Sequence, residues 1–69
     1  MERAGVFSSN IASIGYDPPS ETLEVEFNSG SVYQYYGVPQ GIYDAFMAAP
    51  SKGQFFASQI KDAFPFARV

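Results

Sequence analysis

The clearest hydrophobic pattern lies between Leu23 and Tyr36. Leu23, Val25 and Phe27 alternate with Glu24 and Glu26, the period of two that marks a half-buried strand. Asn28-Ser29-Gly30 follows and suits a three-residue hairpin loop, a type I turn closed by a glycine at positive φ. That loop fixes a register in which Phe27 faces Ser31, Val25 faces Tyr33 and Leu23 faces Tyr35. Tyr33 and Tyr35 then share the apolar face of the first arm. Glu24 and Glu26 point the other way, with Val32, Gln34 and Tyr36, and read as a solvated face.

Residues 6–16 read as another strand, with Ala12, Ile14 and Tyr16 on one face, behind a loose tail over residues 1–5. Asp17-Pro18-Pro19-Ser20 must turn, because neither proline can donate to a ladder, so residues 11–16 are expected to pair antiparallel with residues 22–27. Downstream, Gly37-Val38-Pro39 ends the sheet. Ile42, Ala45, Phe46 and Ala49 recur at helical spacing behind Pro39, which suits a first turn. Pro50 stops this helix at Ala49. Ser51 then reads as an N-cap, with Gln54 three places on as in a capping box, and Phe56, Ile60 and Ala63 give the second helix one apolar face. Pro65 ends it. The aromatic tail, residues 64–69, is expected to fold back over the sheet or onto a neighbour. The predicted architecture is α+β: one domain over residues 1–69, a three-stranded antiparallel sheet followed by two short helices on one face, in the order β-β-β-α-α.

Tyr33-Gln34-Tyr35 also stands in an ordered set of short motifs. Ser9-Asn10-Ile11 and Ser13-Ile14-Gly15-Tyr16 precede it; Val38-Pro39, Ser51-Lys52-Gly53 and Phe64-Pro65-Phe66 follow. In this set the chain resembles the KTSC domain over nearly its whole length, residues 6–69. That family comprises small bacterial and phage domains and also occurs at the C-terminus of some lysyl-tRNA synthetases. The resemblance implies RNA binding as a suggested role, with Tyr33 and Tyr35 as its motif. The register argument reads that pair as structural, two core tyrosines with hydroxyls at the rim.

Composition narrows the function. The 69 residues contain no cysteine and no histidine. Disulfides, thiolate metal sites and the usual near-neutral general base are therefore missing. Glu24 and Glu26 sit on a solvated face, and no glycine pattern matches a phosphate-binding loop. The sequence predicts no catalytic residue, no metal site and no cofactor, hence a protein that is not an enzyme. The net charge is -3, with only Arg3, Lys52, Lys61 and Arg68 as cations. This counts against general DNA binding, which needs clustered positive charge. No apolar run approaches the ~20 residues of a membrane span, and no signal peptide is visible, so a cytoplasmic location is expected without a membrane partner. Seven Phe and five Tyr are hard to hide in one small domain, which points to a homo-oligomer.

Ser51-Lys52-Gly53 is the best candidate for ligand binding. A helix start offers free N–H groups and the positive end of a dipole; Lys52 adds charge and Gly53 allows close approach of an anion. Arg68 joins it if the tail folds back, and Tyr36, Tyr43 and Phe55 are the candidate flanking rings. The competing reading is a plain helix cap. Ser8, Ser9 and Asn10 read either as a turn or as a polar lip for a ligand. The expected function is a non-catalytic module for a nucleotide-like anion, such as a phage or bacterial oligomer that sequesters a small signalling nucleotide. RNA binding and a protein–protein adaptor are the alternatives.

Overall fold

In the computed structural model, which describes residues 1–69, five strands form one antiparallel sheet in sequential order. They are β1 (Ala4–Gly5), β2 (Ile11–Asp17), β3 (Thr22–Phe27), β4 (Val32–Tyr35) and β5 (Phe66–Arg68). Between β4 and β5 lie α1 (Gln40–Ala48) and α2 (Lys52–Phe55), and α2 runs straight into a π-helical turn, Phe56–Ile60. The hairpin has the expected register, with Leu23 opposite Tyr35 and Val25 opposite Tyr33. Phe27 N–H donates to the Ser31 carbonyl at 2.9 Å, and Gly30 closes the loop at φ +95°, a conformation that side chains with a Cβ rarely take.

The three-stranded sheet is a correction: two edge strands enlarge it. Residues 1–5 are not a loose tail, because Ala4 and Gly5 pair with Ile14 and Ser13. The aromatic tail does not lie over the sheet but extends it, with Phe66 opposite Tyr35 and Arg68 opposite Tyr33. Both strands are too short to show a period of two, and backbone pairing rather than side-chain pattern makes them. A second correction concerns β2, which begins at Ile11 rather than Val6. A bulge at Ala12 puts Ile11 opposite Phe27 but Ser13 opposite Glu26. The extra residue of a bulge shifts the alternation, so Ile11 takes the core position assigned to Ala12, while Ile14 and Tyr16 keep theirs.

The helices cover the face that carries Leu23, Val25 and Tyr35. Phe46 from α1 and Phe56 and Ile60 from the π turn complete that core, together with Ile11, Ile14 and Val38. Phe55 stacks on Phe46 at 5.4 Å between ring centroids. Pro39 is the residue before α1 rather than within it, and its carbonyl accepts from Ile42 and Tyr43. Ala49 is extended, as the residue before a proline should be. The second helix is shorter than its apolar stripe predicts. Its ladder slips to i+5 where Lys61 N–H reaches the Phe56 carbonyl at 2.9 Å, and regular helix ends at Ile60. That wider turn lets Phe56 and Ile60 stay in the core while Ala57 and Lys61 face the end of the sheet near the hairpin loop. π turns of this kind are frequent beside functional sites.

The far face of the sheet is not the solvated face expected. Glu24 is only 7% exposed. One of its carboxylate oxygens is ion-paired with Arg3 and the other accepts from Gln34 Nε2 at 2.8 Å. Ser13 Oγ donates to Glu26 at 2.8 Å and accepts from Arg3 Nε at 2.9 Å. Arg3 can lie there because Gly15 beneath has no side chain: a Cβ on Gly15 would sit 2.4 Å from the Glu2 carbonyl oxygen. Burial alone would raise the Glu24 pKa, but the hydrogen bonds from Gln34 and Arg3 and the Arg3 charge outweigh it and hold the carboxyl below its ordinary value.

Candidate functional site

On the helix side, where the hairpin loop meets the π turn, the surface opens into a groove of about 700 Å³. Its apolar floor comes from Phe27, Tyr33, Tyr35, Phe56 and Phe66. These rings support one another: Phe27 meets Tyr33 edge-on at 5.8 Å and Phe56 edge-on at 5.3 Å, and Tyr35 meets Phe56 edge-on at 5.4 Å. Edge-to-face contacts hold rings rigidly and leave ring surface available to a flat ligand. The lip is polar, with Ser9 and Asn10 on one side and Lys61 and Asp62 on another.

The segment of residues 8–10 turns at Ser8, and Ser9 and Asn10 line the groove. Ser8 is the turn residue, its Oγ accepting from the N–H groups of Asn10 and Ile11 at 3.3 Å each. Asn28 ties the segment to the hairpin loop by donating to the carbonyls of Ser8 and Ser9. Ser9 and Asn10 direct their side chains to the groove and bond to nothing else in the chain. They also line a second, more polar groove of about 710 Å³, together with Ser51, Lys52 and Gly53. The two grooves adjoin, sharing Ser9, Asn10, Gly53 and Ala57.

Ser51-Lys52-Gly53 lines the second groove, and its hydrogen bonds are those of a helix cap. Ser51 Oγ accepts from Gln54 N–H at 3.3 Å, the predicted cap. Lys52 Nζ donates to the Ala49 carbonyl at 2.6 Å and so closes the end of α1. The other residues expected here are elsewhere. Arg68 lies on β5, donates to Ser31 Oγ at 3.2 Å and lines neither groove. Tyr36 is on the far face, donating to Gln34. Tyr43 stacks on Tyr16 at 4.7 Å, and Phe55 is against Phe46. None of these three rings lines either groove; nearness in sequence to Lys52 does not report which rings the sheet brings round. The flanking rings are instead Phe27, Tyr33, Phe56 and Phe66, with the fully exposed Phe7 beside the second groove. The hairpin register could have located two of them, since it puts Phe27 and Tyr33 together beyond the reach of α1.

Tyr35 is the most informative residue of the groove. It is 4% exposed, and its hydroxyl bonds to no protein atom, yet no polar side-chain atom in the molecule is both sealed from solvent and unpaired. The hydroxyl therefore opens to the groove that Tyr35 lines. Burial first, then the neighbouring Tyr33 phenol and the Asp62 carboxylate, raise its pKa, so it stays protonated and acts as a donor. Of the four cations, Arg3, Lys52 and Arg68 already have partners in the chain. Lys61, on the lip, has none and is available to an anion.

Residues 7–64 match the KTSC domain. An uncharacterized protein of Stutzerimonas stutzeri is 43% identical over 61 residues, 88% of this chain and 86% of its own length. A lysine–tRNA ligase of Nostoc punctiforme is also 43% identical over 61 residues, but these make up only 11% of that much longer protein. The crystal structure of a KTSC domain protein from Yersinia pestis superposes with a TM-score of 0.97 at 46% identity, covering 99% of this chain and 96% of that one.

Proposed function

The chain belongs to the KTSC domain family, and from that premise we propose that it is a non-catalytic binding module whose ligand is a small, ring-bearing anion of the nucleotide type. One observation carries the reading: a groove with an aromatic floor into which the nearly buried Tyr35 hydroxyl opens without a partner in the protein, with the exposed Ser9 and Asn10 side chains on its lip. Buried polar groups are normally paired, and groups left unpaired around an apolar concavity are what a ligand site requires. On this reading a flat ring lies over the floor of Tyr33, Phe56 and Phe66, and a phosphate or carboxylate meets Lys61 on the lip or reaches towards Ser51 and Lys52.

RNA is the second reading, favoured by the presence of a related segment in lysine–tRNA ligases. The charge pattern weighs against a long polymer, since a net charge of -3 and one unengaged cation give little purchase on successive phosphates. A splayed base at an RNA end would use the same rings. Nucleotides and tRNA are cytoplasmic ligands, and a cytoplasmic site of action goes with either reading; no helix is long and apolar enough to cross a membrane. Self-association we assign to the exposed Tyr36 on the far face, which light scattering tests.

Ala57 is exposed and common to both grooves, so Ala57→Trp should fill the depression without disturbing the core. Calorimetric titration with mononucleotides, cyclic dinucleotides and short single-stranded RNAs is expected to give micromolar binding of a small nucleotide, abolished in Ala57→Trp at unchanged melting temperature. Binding of no nucleotide below millimolar concentration overturns the reading. Binding of RNA alone, falling steeply with salt, replaces it with the second.

A further inference from the structure

The polar groups of the groove differ in kind, and the difference selects a ligand edge. We propose, on the reading that a nucleotide occupies the groove, that the groove prefers guanine, with the Tyr35 hydroxyl and the Asp62 carboxylate reading its hydrogen-bonding edge.

Tyr35 supplies a single donor at the floor, held there by burial and by the Phe56 and Phe66 rings packed against it. Asp62 stands on the lip of the same groove with no hydrogen bond or ion pair inside the chain. An ionised carboxylate only accepts, and its two oxygens take two parallel N–H donors. One donor and two acceptors lining the same groove match a ligand edge that reads acceptor, donor, donor. Guanine presents that order: its O6 carbonyl, its N1–H and its exocyclic N2 amino group. The other bases mismatch. Adenine offers one amino group beside a ring nitrogen lone pair, which would face a carboxylate oxygen. Uracil sets a second carbonyl where N2–H is wanted, and cytosine sets a lone pair and a carbonyl there. Repulsion between unpaired acceptors in a partly buried site discriminates more strongly than a missing contact does.

The test is calorimetric titration of the whole chain with GMP, IMP, AMP, CMP and UMP. GMP is expected to bind about tenfold or more tightly than AMP, CMP or UMP, with IMP between, since it lacks only the N2 amino group; one hydrogen bond to a charged group accounts for a factor of that size. Asp62→Asn, at an exposed position, should bring GMP and AMP to within about threefold of each other while leaving the melting temperature unchanged. Tyr35→Phe should weaken GMP about tenfold. Equal binding of all five nucleotides, blocked by Ala57→Trp, overturns the guanine preference and leaves the groove as a nucleotide site. A GMP preference that survives Asp62→Asn overturns the assignment to Asp62. Absence of binding by every mononucleotide overturns both the preference and the reading on which it rests.

Discussion

The two faces of the sheet treat polar groups in opposite ways. On the far face Arg3, Ser13, Glu24, Glu26 and Gln34 are wired into one another, and Tyr36 joins the end of the chain. On the groove side the Tyr35 hydroxyl, the Asn10 amide, Ser9, Lys61 and Asp62 face a depression without engaging the protein. The far face has the more charges and the groove the fewer, yet the groove is where chemistry is left open. Charge density therefore does not mark where polar groups are left open in this molecule. The useful signal is whether donors and acceptors have already been satisfied.

The strongest way to break this contrast is to cut the far-face network. Glu24→Ala removes the ion-pair partner of the Arg3 Nη1 and the acceptor of Gln34 Nε2, and is expected to cost about 2–3 kcal/mol in urea unfolding. This is below the ~3–5 kcal/mol of a fully buried pair, because the Arg3 side chain is 28% exposed. Asp62→Ala, by contrast, should stay within about 0.5 kcal/mol. If the two carboxylates prove equal, the far face is not wired in solution.

Acid titration probes the same network more gently. The folded Glu24 pKa lies below the ordinary value of 4.5, so its ionised form is favoured by folding. Its contribution is fully present above the unfolded pKa and is lost as pH falls through the lowered folded value. Stability should thus fall below about pH 4.5, and Arg3→Ala should flatten that limb of the profile. An unchanged limb in Arg3→Ala would assign the acid sensitivity to other carboxylates.

A smaller effect is expected at Lys52. Its bond to the Ala49 carbonyl makes it a helix-end contact as well as a lining residue, so Lys52→Ala should cost about 1 kcal/mol in thermal unfolding. The sequence pattern alone would leave this cation solvated and the substitution silent. A silent substitution would show that the bond is not maintained.

These contrasts also show what the sequence could and could not disclose. The hairpin was legible to the residue pair because its loop length and period of two are local properties, and Tyr33 and Tyr35 fell on the correct face. Ser51 was legible as a cap for the same reason. Residues 1–5 were not, because Arg3 gains its role only when the absent side chain of Gly15 lets the first strand cross the sheet. The bulge at Ala12 displaced a core position by one residue, and nothing in a run of small and apolar residues marks such a slip. The groove depends on three such non-local events: β5 joining β4, the π turn re-aiming Lys61 and Asp62, and Asn28 tethering residues 8–10. Nearness in sequence to Lys52 therefore named Tyr36, Tyr43 and Phe55 as flanking rings, when topology brings Phe27 and Phe66.

The smallest effect sharpens the contrast most, because it compares one atom in two tyrosines. Tyr16 and Tyr35 both lie on the helix side of the sheet, and burial raises the pKa of each. The Tyr16 hydroxyl donates to the Val38 carbonyl at 2.5 Å, so Tyr16→Phe removes a hydrogen bond and leaves that carbonyl without its donor, a loss of about 1 kcal/mol. The Tyr35 hydroxyl donates to nothing in the protein, so Tyr35→Phe removes only its contact with groove water and should change stability by less than about 0.5 kcal/mol. The order should reverse with nucleotide present. Wild-type protein then gains stability from the ligand, Tyr16→Phe gains the same increment from its own lower baseline, and Tyr35→Phe gains less. Thermal unfolding of the three proteins with and without saturating GMP measures this. A Tyr35→Phe variant that is as destabilised as Tyr16→Phe without ligand would mean that its hydroxyl is already satisfied inside the fold, and the groove would lose its deepest donor.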